Sequence, residues 1–138
     1  MIFFVSPSVL ELTDQKCVVK IPLNFRTRNH LKSMYFGTLS TGADIAGGLI
    51  AWRLIEASGN KVNLVFKEFH AEFLKRAESA VHFTCVDGAA IQALVLRALE
   101  TGERKNLPVR VTATCPEKLG DEPVANFTVV LSLKQKKS

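Results

Sequence analysis

The sequence predicts an α+β fold in which an antiparallel sheet wraps around a long central apolar helix, with a second, amphipathic helix on the core. Three observations predict this fold. The stretch from Thr38 to Glu56 is apolar on nearly every side, several other segments alternate apolar and polar residues, and short turn-like segments separate them. With 138 residues, 47% of them hydrophobic, the chain suits a single domain over residues 1–138 with a sizeable core.

The first half of the chain predicts two strands, a loop and the long helix. Residues 9–12 and 18–22 are predicted strands that pair across a turn at residues 14–16. Residues 24–32 are polar and basic, which indicates a loop. The helix is predicted from about Thr38 to Glu56, with a stop signal at Gly59-Asn60.

The long helix contains unusual residues for its setting. Gly42, Gly47 and Gly48 lie inside it, and each costs about 1 kcal/mol relative to Ala in a helix interior. We therefore expect strands or another helix to press against these glycines, and we expect Gly47 and Gly48 to permit close helix packing at a dimer seam. Asp44 is the only charged residue between Thr38 and Trp52, so its carboxylate must find a partner or serve a site.

The second half of the chain predicts four strands and a second helix. Residues 62–77 and 80–86 contain alternating apolar and polar residues and are predicted strands. A hairpin at Glu78-Ser79 is predicted to join them. Asp87 is the predicted N-cap of an amphipathic helix that ends at Gly102. Residues 109–115 and 125–133 are the predicted final pair of strands. A sheet of such strands has to curl around the long helix to cover it, which is the plan of a hotdog fold.

The net charge of +5 and the absence of long apolar runs limit the classes of partner. A basic surface favours a polyanion: nucleic acid, a small phosphorylated ligand or an acidic carrier protein. The basic residues are not interleaved with aromatic ones and no nucleic-acid-binding motif is present, so we expect no nucleic acid partner. No apolar run approaches the ~20 residues that span a bilayer. We therefore expect no membrane partner, and without an export signal we expect a cytoplasmic protein.

The cysteines and histidines predict neither a disulfide framework nor a metal site. Cys17, Cys85 and Cys115 are odd in number, widely spaced and set in apolar, strand-like segments, where small buried thiols are expected. The three histidines show no paired-ligand spacing. His70 and Glu72 share one face of a strand, for which a solvated surface is the expected role. We predict no metal and no cofactor.

The segments Asn29-His30, 35–39, 42–44 and Gly47-Gly48 together resemble the hotdog-fold thioesterases, specifically an uncharacterised branch related to the phenylacetate-pathway acyl-CoA thioesterases. Residues 73–77, followed by a strand, Asp87-Gly88 and an amphipathic helix, are also similar to that branch. The resemblance covers residues 18–133. Characterised members carry an Asn, then a His six residues later, two Gly, and an acidic residue seven residues after the second Gly.

In this chain those family positions hold Asn29, Tyr35, Phe36, Gly37 and Asp44, so a Tyr replaces the His and a Phe replaces the first Gly. The resemblance implies catalytic roles for these five residues. The N–H groups of Phe36 and Gly37 would stabilise an oxyanion at the helix start. Asp44 would activate or position a water, or attack directly, and Asn29 would orient the water or the carboxylate.

The resemblance also implies a homodimer, with a dimer of dimers as the alternative assembly. Asp44 lies about two turns along the helix from the oxyanion donors, too far to meet the same thioester within one subunit. In the family, sheets join edge to edge, and each site takes the donors from one chain and the carboxylate from the other.

Candidate substrate-binding residues are Arg26, Arg28 and Lys32, whose cations could hold the phosphates of coenzyme A. A solvated basic loop is the alternative for each. The family also uses a polar residue on the strand after the helix, a register that falls near Phe66 or Lys67. Asn29 has an alternative role, the capping of a turn.

The function implied is hydrolysis of an acyl thioester of coenzyme A or of acyl carrier protein. The alternative is a non-catalytic acyl-binding or assembly protein on the same fold, because the family's His and first Gly are replaced. A basic nucleic-acid-binding module is a third reading. Dehydratases and hydratases on this fold need a His paired with a carboxylate, and the nearest, His30, is poorly placed.

Overall fold

The computed structural model describes residues 5–136. The strands are β1 Ser8–Leu12, β2 Cys17–Ile21, β3 Val62–Phe73, β4 Val81–Cys85, β5 Lys105–Thr114 and β6 Pro123–Gln135. The helices are α1 Phe36–Ser58, α2 Gly88–Thr101 and α3 Pro116–Leu119. In this part of the chain, none of the helices has the length and apolar character needed to cross a membrane.

The strands form one antiparallel sheet in the order β1-β2-β4-β5-β6-β3. This confirms the predicted α+β class and two of the three predicted strand pairings, β1 with β2 and β5 with β6. The long strand β3 has β6 on one side and forms an edge of the sheet. Its partner β6 pairs with it over its whole length, with one irregularity between Phe66 and Glu68.

Helix α1 packs against the sheet along most of its length. It contacts strands β2, β3, β4, β5 and β6, as expected if the sheet curls around it. Its Ile50 and Ala51 are fully buried, as are Val109 and Val129 of the sheet. Burial of a Val or Ile side chain contributes about 1.5–3 kcal/mol, so this contact stabilises the fold. The helix ends at Gly59, whose left-handed backbone (φ 72°) closes it at the predicted stop signal.

Gly42, Gly47 and Gly48 of α1 lie directly against side chains of the sheet. A Cβ at Gly42 would overlap the ring of Phe83, and one at Gly48 would lie 3.0 Å from the ring of Phe66. A Cβ at Gly47 would meet Val111 and Val129. The prediction that strands press on these glycines is confirmed. The prediction that Gly47 serves a helix–helix seam is wrong, since that side of the helix faces the sheet.

The hairpin predicted at Glu78-Ser79 is wrong. Strands β3 and β4 both exist, but β3 pairs with β6 at the sheet edge while β4 lies between β2 and β5. The connecting segment crosses the end of the sheet: the N–H groups of Leu74 and Lys75 donate to the Val124 carbonyl. Alternation identifies a strand and its buried face but not its neighbour, which explains the error.

Helix α2 begins at Gly88 and ends at Gly102, as predicted, but its first residue is not capped as predicted. The Asp87 carboxylate makes no cap hydrogen bond and instead accepts one from the Arg110 N–H, at 2.8 Å. Asp87 therefore ties the helix start to β5. The three cysteines are free and buried, in agreement with the prediction, and burial raises the pKa of Cys17 and Cys85 to about 11.

The turn between β1 and β2 is held by both long helices. From α2, the Gly88 N–H donates to the Gln15 carbonyl at 3.2 Å, and the Gln92 side chain donates to the Asp14 carbonyl at 2.7 Å. A Cβ at Gly88 would overlap the turn backbone. From α1, Arg53 donates to the Leu12 carbonyl at 3.0 Å. The turn is thus a fixed junction between the sheet edge and the helix layer.

We expect Gly42→Ala to lower the free energy of unfolding by about 1–3 kcal/mol, because the new methyl group overpacks the core against the Phe83 ring. Gly37→Ala in the same helix is the matched control, since a Cβ there meets nothing within 4 Å. Urea denaturation of both variants measures the difference. Equal stability of the two variants would contradict the close contact between α1 and β4.

Candidate functional site

The loop between β2 and α1, residues 22–35, is built around two buried anchors. The first anchor is Thr27, which is fully buried. Its hydroxyl donates to the Pro22 carbonyl at 2.8 Å and accepts from the Asn24 N–H at 3.0 Å. The Tyr35 N–H donates to the Thr27 carbonyl at 2.9 Å, which closes the loop immediately before α1. The entry of the chain into the helix is therefore fixed.

The second anchor is Asn29. Its side-chain oxygen accepts hydrogen bonds from the N–H groups of Leu31 at 2.9 Å and Ser33 at 3.1 Å. Its backbone N–H donates to the Ser33 carbonyl at 2.7 Å. Asn29 thus has the turn-capping role that the sequence left open. Its side-chain NH₂ has no partner within residues 5–136 and stays available as a donor.

The N-terminus of α1 has no side-chain cap, and its first backbone N–H groups are hydrogen-bond donors. The first intrahelical hydrogen bond runs from the Leu39 N–H to the Tyr35 carbonyl, at 3.0 Å. The N–H groups of Phe36, Gly37 and Thr38 have no acceptor among the residues that the structure describes, and Tyr35 supplies no side-chain cap. Free N–H groups and the helix dipole make such an end favourable for an anion or a polarised carbonyl.

A groove of about 320 Å³ lies at this helix start, and we call it the helix-start groove. Its lining comprises Asn29, Leu31, Ser33, Met34, Phe36, Leu39 and residues 73–77. The Phe36 ring, 65% exposed, stacks on Phe73 with ring centres 4.2 Å apart. The Ser33 side chain is 5% exposed and its hydroxyl oxygen has no hydrogen-bond partner in the described chain. An unsatisfied buried hydroxyl costs about 1–3 kcal/mol, which a bound polar group would recover.

Asp44 faces a different groove. This Asp44 groove, of about 480 Å³, is almost entirely apolar and is lined by Pro7, Val9, Asp44, Ile45, Gly48, Leu49, Trp52, Leu64 and Phe66. Asp44 is half-buried, and its carboxylate has neither an ion pair nor a hydrogen bond with any other residue of 5–136. Burial raises the pKa of the Asp44 carboxyl above its usual 3.8. Among the described residues the carboxylate is therefore unpaired, and in this apolar setting it is a stronger base than the carboxylate of an exposed Asp.

The two sets of predicted residues do not meet within one chain. Asn29 and Phe36 line the helix-start groove, next to Tyr35 and Gly37, while Asp44 lines the other groove. Seven residues of α-helix separate Gly37 from Asp44, a rise of roughly 10 Å. This separation is the one that the resemblance implies. Within one subunit the oxyanion donors and the carboxylate cannot act on the same bond.

The predicted substrate-binding residues lie outside both grooves. Arg26, Arg28 and Lys32 are exposed on the outer side of the loop. Lys67 is exposed at the irregularity of β3 and lines neither groove, whereas its neighbour Phe66 lines the Asp44 groove. Of these two residues of β3, only Phe66 lines the Asp44 groove.

Several groove residues were missed by the sequence reasoning. Lys75 and Arg76 line the helix-start groove and Lys75 pairs with Glu122. The resemblance over residues 73–77 already pointed to this segment of the sequence. In the structure the Met34 N–H donates to the Ala77 carbonyl, and this hydrogen bond brings the segment to the loop. Trp52, 54% exposed, lines the Asp44 groove. The sequence carries no signal for this exposure, because Trp52 directly follows the apolar residues 45–51, where burial is expected.

Comparison of the whole fold identifies similar solved structures. A protein of unknown function from Pseudomonas aeruginosa, named a probable thioesterase, is 21% identical with a TM-score of 0.80 over 96% of this chain and 85% of its own. A thioesterase from Haemophilus influenzae is 12% identical with a TM-score of 0.73 over 97% and 82%. A mutant thioesterase enzyme from Staphylococcus aureus is 12% identical with a TM-score of 0.70 over 94% of both chains.

These similarities confirm that the chain has the thioesterase-like hotdog fold predicted from the sequence. None of the curated proteins matches it. One family model matches residues 3–131, nearly the full chain. The chain therefore belongs to the family described as "Domain of unknown function (DUF4442)".

Proposed function

We propose that the protein hydrolyses acyl thioesters, of coenzyme A or of a carrier protein, as a homodimer in the cytoplasm. The observation that supports this most directly is the unpaired Asp44 carboxylate in an apolar groove, on the same helix whose first N–H groups lack acceptors. The fold is shared with proteins named thioesterases. The kinship with the phenylacetate-pathway branch stays a prediction.

The chemistry follows from these groups. The thioester carbonyl oxygen accepts hydrogen bonds from the N–H groups of Phe36 and Gly37, which stabilise its negative charge as water adds to the carbon. Asp44 of the second subunit takes a proton from that water. The tetrahedral intermediate then breaks its C–S bond, and the proton passes to the leaving thiolate. Asn29 contributes by holding the loop and by donating from its free NH₂ group.

Replacement of the family's His by Tyr35 alters this arrangement without removing its main parts. A Tyr hydroxyl orients a group but is a weak base near neutral pH. The Tyr35 backbone still sets the helix start, and a Phe at the next position still supplies an N–H. We therefore assign proton transfer to Asp44 and the orientation of a reacting group to the Tyr35 hydroxyl.

A dimer is proposed because each subunit holds only half of the site and presents the surfaces that could complete it. Strand β3 is a free edge of 12 residues, with Val65, Phe66, Phe69 and Phe73 between about a third and a half exposed. Beside it lies the apolar Asp44 groove with Trp52. Edge-to-edge pairing of β3 with a second copy would cover both features, and a dimer of dimers could form from such a unit.

A second candidate function, acyl binding without hydrolysis, is favoured by one contact. Phe36 occupies the position of the family's first Gly, and its ring stacks on Phe73 across the helix-start groove. A ring there can cover a bound acyl chain and hinder the approach of water. In that case Asp44 would be dispensable for ligand affinity.

We expect purified protein to release free thiol from some member of a panel of acyl-CoA thioesters. Asp44→Asn should lower the rate about 100-fold or more, since a general base contributes on that order. The matched control is Asp121→Asn, an exposed carboxylate in the turn before β6. Absence of turnover on every thioester, with tight acyl-CoA binding by both Asp44→Asn and wild type, would instead identify the non-catalytic acyl-binding protein.

We expect hydrolysis to decline as the pH falls through the raised pKa of Asp44, with an inflection above 3.8. Stability should change in the opposite sense. The folded state keeps the Asp44 proton at pH values where the unfolded chain has lost it, so this residue makes the fold less stable as the pH rises through the same window. Melting curves of Asp44→Asn should show a gain over wild type at neutral pH that shrinks toward pH 3.8. Asp121→Asn is the control variant in the same melting series.

We expect the wild type to sediment as a dimer or a multiple of it. Trp52→Glu should shift the protein toward monomer, because it places a charge in the proposed apolar contact. Leu96→Glu, on the exposed side of α2, serves as the control and should leave the sedimentation coefficient unchanged. A monomeric wild type with full hydrolytic activity would rule out the shared site.

A further inference from the structure

The loop between β2 and α1 presents basic and apolar side chains to solvent. From Gln15 to Ala43 the sequence contains no Asp or Glu. Between residues 25 and 32, the exposed residues are Phe25, Arg26, Arg28, His30, Leu31 and Lys32. Phe25 is 75% exposed and Leu31 is 48% exposed. We call these six residues the loop surface.

The loop surface rests on a rigid base. The residues between its members point inward and are fixed by hydrogen bonds: Thr27 to the Pro22 carbonyl, and Asn29 to the N–H groups of Leu31 and Ser33. The Arg28–Met34 bridge adds a further pairing across the loop. A surface held in this way loses little conformational entropy on binding, which favours its use as a binding site.

The composition of the loop surface suits a protein better than a small phosphorylated ligand. An exposed aromatic ring beside guanidinium groups is typical of the centre of protein interfaces, and the Arg26 guanidinium lies 5.4 Å from the Phe25 ring centre. The cations that line the helix-start groove are instead Lys75 and Arg76. A phosphate on a ligand in that groove would meet these two side chains first. Arg28 and Lys32 lie outside the groove and are exposed to a larger partner.

We propose that the loop surface docks an acidic protein that carries the acyl group as a thioester on a flexible arm. Charge complementarity supports this partner: residues 15–43 contain no Asp or Glu, and a basic surface attracts and orients an acidic one. The proposal rests on the proposed function insofar as the thioester is then cleaved. Asn29, Leu31 and Ser33 of the same loop line the helix-start groove, so an arm from the docked protein can reach the free N–H groups of α1.

The experiment measures binding of a holo-acyl carrier protein whose acyl chain is attached by a stable amide, so that no hydrolysis is required. Fluorescence anisotropy of the labelled carrier gives the dissociation constant. The Arg28→Glu/Lys32→Glu double variant should weaken binding about tenfold or more, and so should Phe25→Ala, as expected for central interface residues. Wild-type affinity should fall as salt is raised.

Matched controls carry the same changes elsewhere on the surface. Arg97→Glu/Lys61→Glu reverses two exposed charges away from the loop, and Leu96→Ala removes an exposed apolar side chain of α2. These should bind as the wild type does. Thermal melting of all variants checks that the loop variants stay folded.

Failure of this inference is distinguishable from failure of the proposed function. If the wild type does not bind the carrier, or if the loop variants bind as tightly as the controls, docking is overturned. Hydrolysis of free acyl-CoA in the same preparation would then leave the thioesterase proposal standing. If the loop variants lose carrier binding while the wild type cleaves no thioester, docking stands and hydrolysis falls.

Discussion

The contact between α1 and the inner face of the sheet is the constraint on which the other features depend. An apolar helix of 23 residues is stable in water only when strands cover it, and the sheet approaches closely because Gly42 and Gly47 present no side chain toward β4, β5 and β6. The same contact sets the rotation of the helix about its axis. With these glycines toward the sheet, Asp44 and Trp52 emerge on the side beside β3. The position of the candidate carboxylate is therefore a consequence of core packing.

The fold class was predictable from the sequence because it depends on local patterns. The buried helix follows from the apolar residues on all its sides, and its end follows from Gly59, whose left-handed backbone other residues rarely adopt. The pairing of β3 with β6 was not predictable by the same reasoning. It depends on Leu74, Lys75 and the Val124 carbonyl, partners far apart in the chain. Asp87 shows a similar limit: its helix-capping chemistry is local, but the Arg110 N–H of β5 takes its carboxylate.

The candidate site was predictable only in part, for a related reason. The spacing of Asn29, Gly37 and Asp44 singled them out as candidates through the resemblance to the thioesterases. Spacing could not show that the side-chain oxygen of Asn29 accepts hydrogen bonds from the Leu31 and Ser33 N–H groups. Nor could it show that the Ser33 hydroxyl has no partner within the described residues. It also could not show that Lys75 and Arg76 reach the groove, whereas Lys67 does not. These properties arise where separate segments of chain meet.

The turn between β1 and β2 has a consequence for how this chain can vary. Surface turns usually accept insertions and deletions, because their backbone groups are hydrated and unconstrained. Here the carbonyls of Leu12, Asp14 and Gln15 all receive donors from the two long helices. One added residue would displace at least one of these carbonyls and push the turn against Gly88, where there is no space. Related sequences should therefore keep the length of the β1–β2 turn.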